Sequence, residues 1–293
     1  MLSEHDANGL RLRRTNIAPG DRDPPKRIAV AAVHDRRIRK FALIFGARRA
    51  PLQQMSMEIA PLGDSALIVR VRESFDGASD EALNAVLATQ RLLENAQLPG
   101  VIEFAPAYTT VALFFDPMRV VASGAKADGV FDWLAERIRE AISNANEVRG
   151  DQIKTSLVEI PVCYDAEFAL DLEEVAQRAG LGVQEVVDLH FTSEYRVHCI
   201  GFTPGFPFLG GLPSKLATPR RSTPRKEIPA GSVAIGGAQT GIYPVKSPGG
   251  WNLIGRTPLR LFDPQKDPPA LLRGGDRVRF RAITRDEFER LTM

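Results

Sequence analysis

VHCIGFTPGFPFLGGLPS (Val197–Ser214) and IPAGSVAIGGAQTGIYPV (Ile228–Val245) are two runs almost without charge, flanking a short basic knot of Lys215, Arg220, Arg221, Arg225 and Lys226. A third such run, SPGGWNLIGRTP, begins at Ser247. Uncharged runs of this length invite a membrane span, but Gly201, Pro204, Gly205, Pro207, Gly210, Gly211 and Pro213 break any helix through the first. They read as loops and short strands. Glycine lets a ligand or a second backbone approach closely and proline stiffens the chain. Interleaved with Phe202, Phe206, Phe208, Tyr243 and Trp251, they describe stiff loops around an apolar hollow. A small barrel that needs glycine at its corners and aromatics in its core accounts for the same pattern, and both readings stand at this point.

Outward from this stretch, everything after Arg196 reads as short strands between Gly and Pro turns. The last are the strand DRVRFRAI and a helix from Asp286 to Leu291. That spacing argues a closed or nearly closed barrel. Upstream, Asp171 with Glu174 marks a helix start, Leu172, Val175 and Ala176 give it an apolar face, and Gly180 stops it. On the next short helix Val183, Val186, Val187, His190 and Phe191 share one face, which turns His190 inward. For such a histidine the residues alone favour a core role satisfied by a backbone carbonyl.

Further upstream, MEIAPLG and SALIVRV are strands around the turn Gly63–Asp64, and Ser79 caps a helix through Leu83, Val86, Leu87, Gln90 and Leu93. VIEFAPAY and TTVALFFD add two strands, and Val130 to Ala145 a second helix with Phe131, Leu134, Ile138 and Ile142 on one face. LVEIPVCY closes the set, which makes a small α+β sandwich of one sheet and two helices with no visible chemistry. Domain boundaries fall at 1–55, 56–150 and 151–293. Residues 1 to about 55 carry many arginines, turn formers such as Pro19–Gly20 and Pro24–Pro25, and few apolar anchors. The expectation for them is an over-long gene start, with Met55 or Met57 the first residue.

With 293 residues the chain can bury a sizeable core, and its 44% hydrophobic and 25% charged content is that of an ordinary soluble protein. A net charge of +2 gives no reason to expect nucleic acid, and no membrane partner is expected. Cys163 and Cys199 are isolated, which fits a reducing, cytoplasmic setting and excludes a disulfide scaffold or zinc knuckle. Cys199 follows His198, but neighbours in a strand point to opposite faces, which argues against a Cys–His pair.

Three places offer chemistry. Arg220 and Arg225, each after a Thr-Pro, leave stiffened backbone and are better placed than Arg221 or Lys226 to hold a carboxylate or phosphate. Gly236, Gly237 and Gly241 can present backbone N–H groups to an oxyanion, with Gln239 adding a side-chain amide; turn geometry explains the same glycines. Tyr243 and Trp251 can wall a pocket, with Asn252 and Arg256 as polar handles, or pack as core. Neither a P-loop nor G-x-G-x-x-G occurs there, and no metal cluster, triad or carboxylate dyad is visible.

GFTPGFPFLGGL, TPRRSTPR, IPAGSVAIGGAQTGIYPVKSPGGWNLIGRTP, LFDP and PALLRGGDRVRF, in that order, closely resemble the B component of bacterial ATP-dependent 5-oxoprolinase. That family is also called allophanate hydrolase subunit 1 and includes a sporulation histidine-kinase inhibitor. The resemblance runs from about Met57 to the C-terminus. It implies an α+β chain, a small N-terminal sandwich followed by a cyclophilin-like β-barrel, and ATP-dependent opening of 5-oxoproline to L-glutamate. The work would be shared with the A and C components of the 5-oxoprolinase, the latter of the allophanate hydrolase subunit 2 family, so the chain alone would be inactive. ATP, with Mg, would bind at an unconventional site or one shared with a partner. The resemblance also draws His190 into the catalytic group with Arg220, Arg225 and Gln239. Substrate, a small lactam or urea-like molecule, would fall to the loops: Phe202, Pro204, Gly205, Phe206, Gly236 and Gly237, then Tyr243, Ser247, Gly249, Gly250, Trp251 and Arg256. A non-catalytic inhibitor that docks on a histidine kinase, or a component of a urea- or allophanate-processing enzyme, are the alternatives.

Overall fold

The computed structural model describes residues 58–72, 80–144 and 156–292. The basic N-terminal stretch and Ser79 lie outside them. Strands β1 (Glu58–Pro61) and β2 (Ala66–Arg70) pair antiparallel around Gly63–Asp64, and helix α1 (Asp80–Asn95) follows. β3 (Val101–Ala107) and β4 (Thr110–Phe115) complete a four-stranded sheet in the order β1-β2-β4-β3. Leu67 and Val69 of β2 and Val111, Leu113 and Phe115 of β4 share one face because side chains two apart point the same way. A helix the periodicity does not reveal comes next, α2 (Pro117–Ala122). Asp116 starts it by accepting from the N–H groups of Met118 at 2.9 Å and Arg119 at 3.3 Å. α3 (Val130–Ser143) then lays Val130, Leu134 and Ile138 on the sheet beside Val86 and Leu93 of α1. This is the expected sandwich.

LVEIPVCY does not belong to that sheet. As β5 (Leu157–Cys163) it lines the second domain's barrel, burying Ile160 and Val162. Helices α4 (Leu172–Ala179) and α5 (Val183–Thr192) follow, then β6 (Glu194–Ile200), β7 (Pro207–Gly210), β8 (Arg225–Ile228), β9 (Ser232–Gly236) and β10 (Gln239–Ile242). β11 (Ser247–Gly249), β12 (Asn252–Arg256), β13 (Arg277–Ile283) and α6 (Arg285–Thr292) complete the chain. Seven strands close into a barrel, in the order β10-β7-β6-β13-β5-β12-β9. Closure leaves its strands no free edge. β5 and β13 are parallel, Ile160 opposite Phe280, so the two ends of the domain zip together. Gly180, at φ +66°, ends α4 as expected.

Alternation along β9, β10 and β12 decides where a site can form. Val233, Ile235, Ile242 and Ile254 fill the barrel interior with residues of α4 and α5. Ala234 and Leu253 point the other way. Strands β8 and β11 form a separate two-stranded arm, and Ile228 of that arm joins the same outer cluster. The barrel wall therefore separates two cores, one inside and a smaller one beneath the arm. No helix among the described residues is long and apolar enough to cross a membrane.

Candidate functional site

The smaller core is aromatic. Phe206 lies 5.1 Å from Tyr243 and 5.5 Å from Trp251, ring centre to ring centre and edge on, and Phe208 lies 5.8 Å from Trp251. Two glycines make this possible. A Cβ on Gly236 would sit 2.5 Å from the Trp251 ring, and one on Gly241 2.9 Å from Phe206. Gly236 and Gly241 are thus the floor on which the rings rest, and the Gly237 N–H is taken by the Thr218 carbonyl at 2.7 Å. The glycine run is not laid out as an oxyanion nest. Phe206, Tyr243 and Trp251 likewise fill the space they were expected to wall, each 5% exposed or less. What stays accessible is the rim of this core, where Phe202, 62% exposed and at φ +66°, stands edge on to Phe206 and Tyr243.

The basic knot divides into two roles. Asp171, expected as a helix cap, makes no capping bond and is instead buried under the arm. Its Oδ1 accepts from Arg221 Nη1 at 2.7 Å and Arg225 Nη2 at 2.8 Å, and its Oδ2 from Arg225 Nη1 at 2.8 Å and the Leu253 N–H at 2.7 Å. Arg225 therefore already has its carboxylate and is not poised for a second anion. Its duty is to clamp the arm to α4 and β12. Arg220 differs: among the described residues it pairs with no carboxylate, and its guanidinium carbon stands 5.7 Å above the Trp251 ring. A bridge between Thr218 and Gly237 pins the knot beside the β9–β10 turn, two residues from Arg220 on one side and two from Gln239 on the other.

His190 corrects the expectation drawn from the resemblance. It is fully buried inside the barrel, stacked 4.5 Å from Phe280 of β13 and bonded at 3.0 Å to Thr240 of β10, two strands that are not neighbours. Thr240 donates its proton to the Ala234 carbonyl at 3.1 Å, so it must accept from Nε2–H of His190. Nδ1 then accepts from the Tyr164 hydroxyl at 2.8 Å. Both nitrogens are occupied, and burial holds the imidazole down at about 3. It is a neutral core histidine, with the barrel wall between it and the aromatic rim.

On that rim the structure adds a residue that the sequence reading passed over. The β3–β4 hairpin of the first domain presses against β6, and Tyr108 at its tip donates to Gln239 Oε1 at 3.2 Å. Its ring lies 6.3 Å from His198 and 6.2 Å from Phe208. A bulge between Val197 and Cys199 breaks the strand alternation, so His198 and Cys199 both border Tyr108. Burial pushes the Cys199 thiol up to about 12, which leaves it protonated and unsuited to attack. Gln239 Nε2 is buried without a hydrogen-bond partner. The one sequence signal for Tyr108 is its place in a two-residue turn, AYTT, where Asn or Gly is usual.

The remaining assignments scatter. Ser247 Oγ is buried without a partner in β11, and Gly249 of the same strand gives way to the Tyr243 hydroxyl. Gly250 offers its carbonyl to the Arg221 N–H at 2.8 Å, and Asn252 spends its amide on the carbonyls of Pro219 and Ile235. Gly205, at φ +81°, and the exposed Pro204 shape the turn that carries Phe206. Arg256 is at the far end of β12, bonded to the Ala230 carbonyl at 2.9 Å and away from the rim. Phe202 stands edge on to Tyr243, Arg220 stands over Trp251, and Gln239 lies beside Tyr108 at the start of β10. No group of acidic, histidine or cysteine side chains able to hold a metal occurs among the described residues.

Residues 57–272 match the family of carboxyltransferase domains, subdomains C and D. The B component of the 5-oxoprolinase of Bacillus subtilis (strain 168) is 44% identical over 233 residues, 79% of this chain and 95% of that protein. The crystal structure of TTHA0988 superposes with a TM-score of 0.61 at 39% identity over 74% of this chain, which spans 40% of that longer one. Urea amidolyase from K. lactis superposes over 80% of this chain and 15% of its own with a TM-score of 0.63, and its 20% identity speaks for the fold alone.

Proposed function

The chain belongs to the family of carboxyltransferase domains of subdomains C and D, and from that premise we propose that it is the B component of an ATP-dependent 5-oxoprolinase. The reading is that it holds 5-oxoproline while its partners, the A and C components, help to open the ring to L-glutamate. The observation that carries it is the near end-to-end match to the B component of a 5-oxoprolinase, 44% identical over 95% of that protein. The rim supports it chemically. Gln239 Nε2 and the Arg220 guanidinium are both donors, one buried and unmet, one charged and without a carboxylate partner among the described residues. A ligand that answers them needs a neutral carbonyl oxygen and an anionic group, and 5-oxoproline has a lactam carbonyl and a carboxylate. Urea has the first and lacks the second.

A lactam resists water because its nitrogen is a poor leaving group; ATP would phosphorylate the amide oxygen and so open the carbonyl carbon to water, after which the C–N bond breaks with the nitrogen leaving protonated, and a second water releases the phosphate. Arg221, Arg225 and the glycine run are poorly placed for a triphosphate. Arg221 and Arg225 are spent on Asp171, Gly236 lies under Trp251, and the Gly237 N–H is bonded to Thr218. The nucleotide is accordingly assigned to the partner components, and this chain's share is to bind, orient and keep water from the lactam.

The test is to purify the chain, mix it with the A and C components, and follow glutamate formed from 5-oxoproline with and without ATP. Turnover by the full set and little by the chain alone is expected; an inert full set removes the reading. A second reading, a module that docks on a histidine kinase, draws on Ile102, Phe114 and Met118 of the first domain, exposed at 66%, 39% and 76%. Inhibition of kinase autophosphorylation by a chain that leaves 5-oxoproline untouched would favour it.

A further inference from the structure

We propose that Tyr108, carried by the first domain, is a positioning residue for the substrate site on the second: its hydroxyl fixes the Gln239 amide so that Nε2 faces the substrate's carbonyl oxygen. The inference rests on the functional reading above and names the residue that aims its key donor.

A primary amide has an acceptor end and a donor end, and a free one presents either. Here the ends are told apart. The Tyr108 hydroxyl donates to Oε1 at 3.2 Å, which turns Nε2 away from Tyr108 and leaves it buried with no partner. A buried donor left unmet destabilises the protein unless a ligand supplies the acceptor. Reversed, the same amide would set its oxygen against the substrate carbonyl, oxygen to oxygen.

Tyr108 is suited to hold that choice. Burial raises its hydroxyl above the ordinary tyrosine range, so it stays protonated and donating at any working pH. The hydroxyl also bonds to the Cys199 thiol, and Phe208 and His198 flank the ring. Its backbone lies at φ +48°, a region that disfavours a bulky side chain, at the hairpin's tip. The contacts that offset this strain lie on the barrel face beside Gln239. A turn built for the hairpin alone would carry Asn or Gly at this position. The first domain therefore contributes to the site and does more than support it.

The test is steady-state kinetics of the complete three-component set carrying Tyr108→Phe, which keeps the ring and removes the hydroxyl. The KM for 5-oxoproline should rise roughly three- to tenfold, the loss of one neutral hydrogen bond's worth of orientation. The KM for ATP should stay at its wild-type value, which a general structural defect would not allow, and the melting temperature should fall only by the roughly 2–4 °C that one lost buried hydrogen bond gives. In a Gln239→Leu background the same substitution should add nothing, since the group it positions is gone. An unchanged KM for 5-oxoproline, or an equal rise in the Leu background, overturns the proposal while leaving the functional reading intact. If the wild-type set shows no turnover, that reading fails instead. The positioning is then decided by the Gln239 side-chain amide resonances of the full chain: a shift on Tyr108→Phe supports it, and an unmoved pair overturns it.

Discussion

Replacing Asp171 with asparagine should loosen the arm that covers the aromatic core, and the structure sets the size of the effect. The carboxylate is 3% exposed and accepts four hydrogen bonds, three from Arg221 and Arg225 and one from the Leu253 N–H. Asparagine keeps one oxygen, loses the charge and aims an N–H₂ group at a guanidinium. Breaking a fully buried ion pair costs about 3–5 kcal/mol, and an exposed one about 0–1 kcal/mol. Asp171 is buried, but the side chains of Arg221 and Arg225 are 32% and 23% exposed and keep part of their hydration. An intermediate loss of about 2–4 kcal/mol follows. Urea unfolding followed by tryptophan fluorescence measures it, because Trp251 lies under the arm. A loss below about 1 kcal/mol, within the range of exposed pairs, would refute the clamp and return Arg225 to the candidates for substrate binding.

Arg220→Ala and Arg225→Ala should fail in different ways. The first should raise the KM for 5-oxoproline about 10- to 100-fold, the range for a hydrogen bond to a charged group, with an unchanged urea midpoint; the second should lower stability by a few kcal/mol, about 2–4. Steady-state kinetics and urea titration on both variants separate the roles. Acid should destabilise the chain through His190. Its folded value near 3 lies below the ordinary 6.5, so between the two the unfolded chain takes a proton that the folded chain refuses. Stability from this group is complete above 6.5 and falls by about 1.4 kcal/mol per pH unit below it, roughly 2 kcal/mol by pH 5. Urea midpoints at pH 7 and pH 5 should differ accordingly, and His190→Gln should flatten that difference.

The strands and helices were legible because their apolar spacing is regular. Leu67, Val69, Val111 and Leu113 alternate, and Val130, Leu134 and Ile138 recur at helical spacing. α2 is hidden from the periodicity because six residues are too few to show a period, and Asp116–Pro117 is its signal. β5 reads locally as part of the first sheet because its partner β13 lies at the far end of the chain, and no local pattern records a parallel pairing at that distance. The site was half legible. Glycines and aromatics mark a special face, on which Arg220 stands over the Trp251 ring and Tyr243 packs against Phe206, with Gln239 beside Tyr108 at the start of β10. Whether a ring fills a hollow or lines it depends on what sits above Gly236 and Gly241, which is a matter of tertiary packing. Pairing hid the rest. Arg225 reads as free because the carboxylate that holds it, Asp171, lies 54 positions earlier, and Tyr108 comes from 131 positions before Gln239.

The claim that the rim of the barrel's outer face binds the lactam is tested most directly by Gln239→Glu in the complete three-component set. The exchange keeps the shape, replaces the donor with a carboxylate oxygen and brings a negative charge to a substrate that already carries one. kcat/KM for 5-oxoproline should fall at least about a hundredfold, more than a lost neutral bond alone would give, under conditions where urea titration shows the variant still folded, since the buried carboxylate itself lowers the midpoint. A variant that turns over at the wild-type rate would contradict the account.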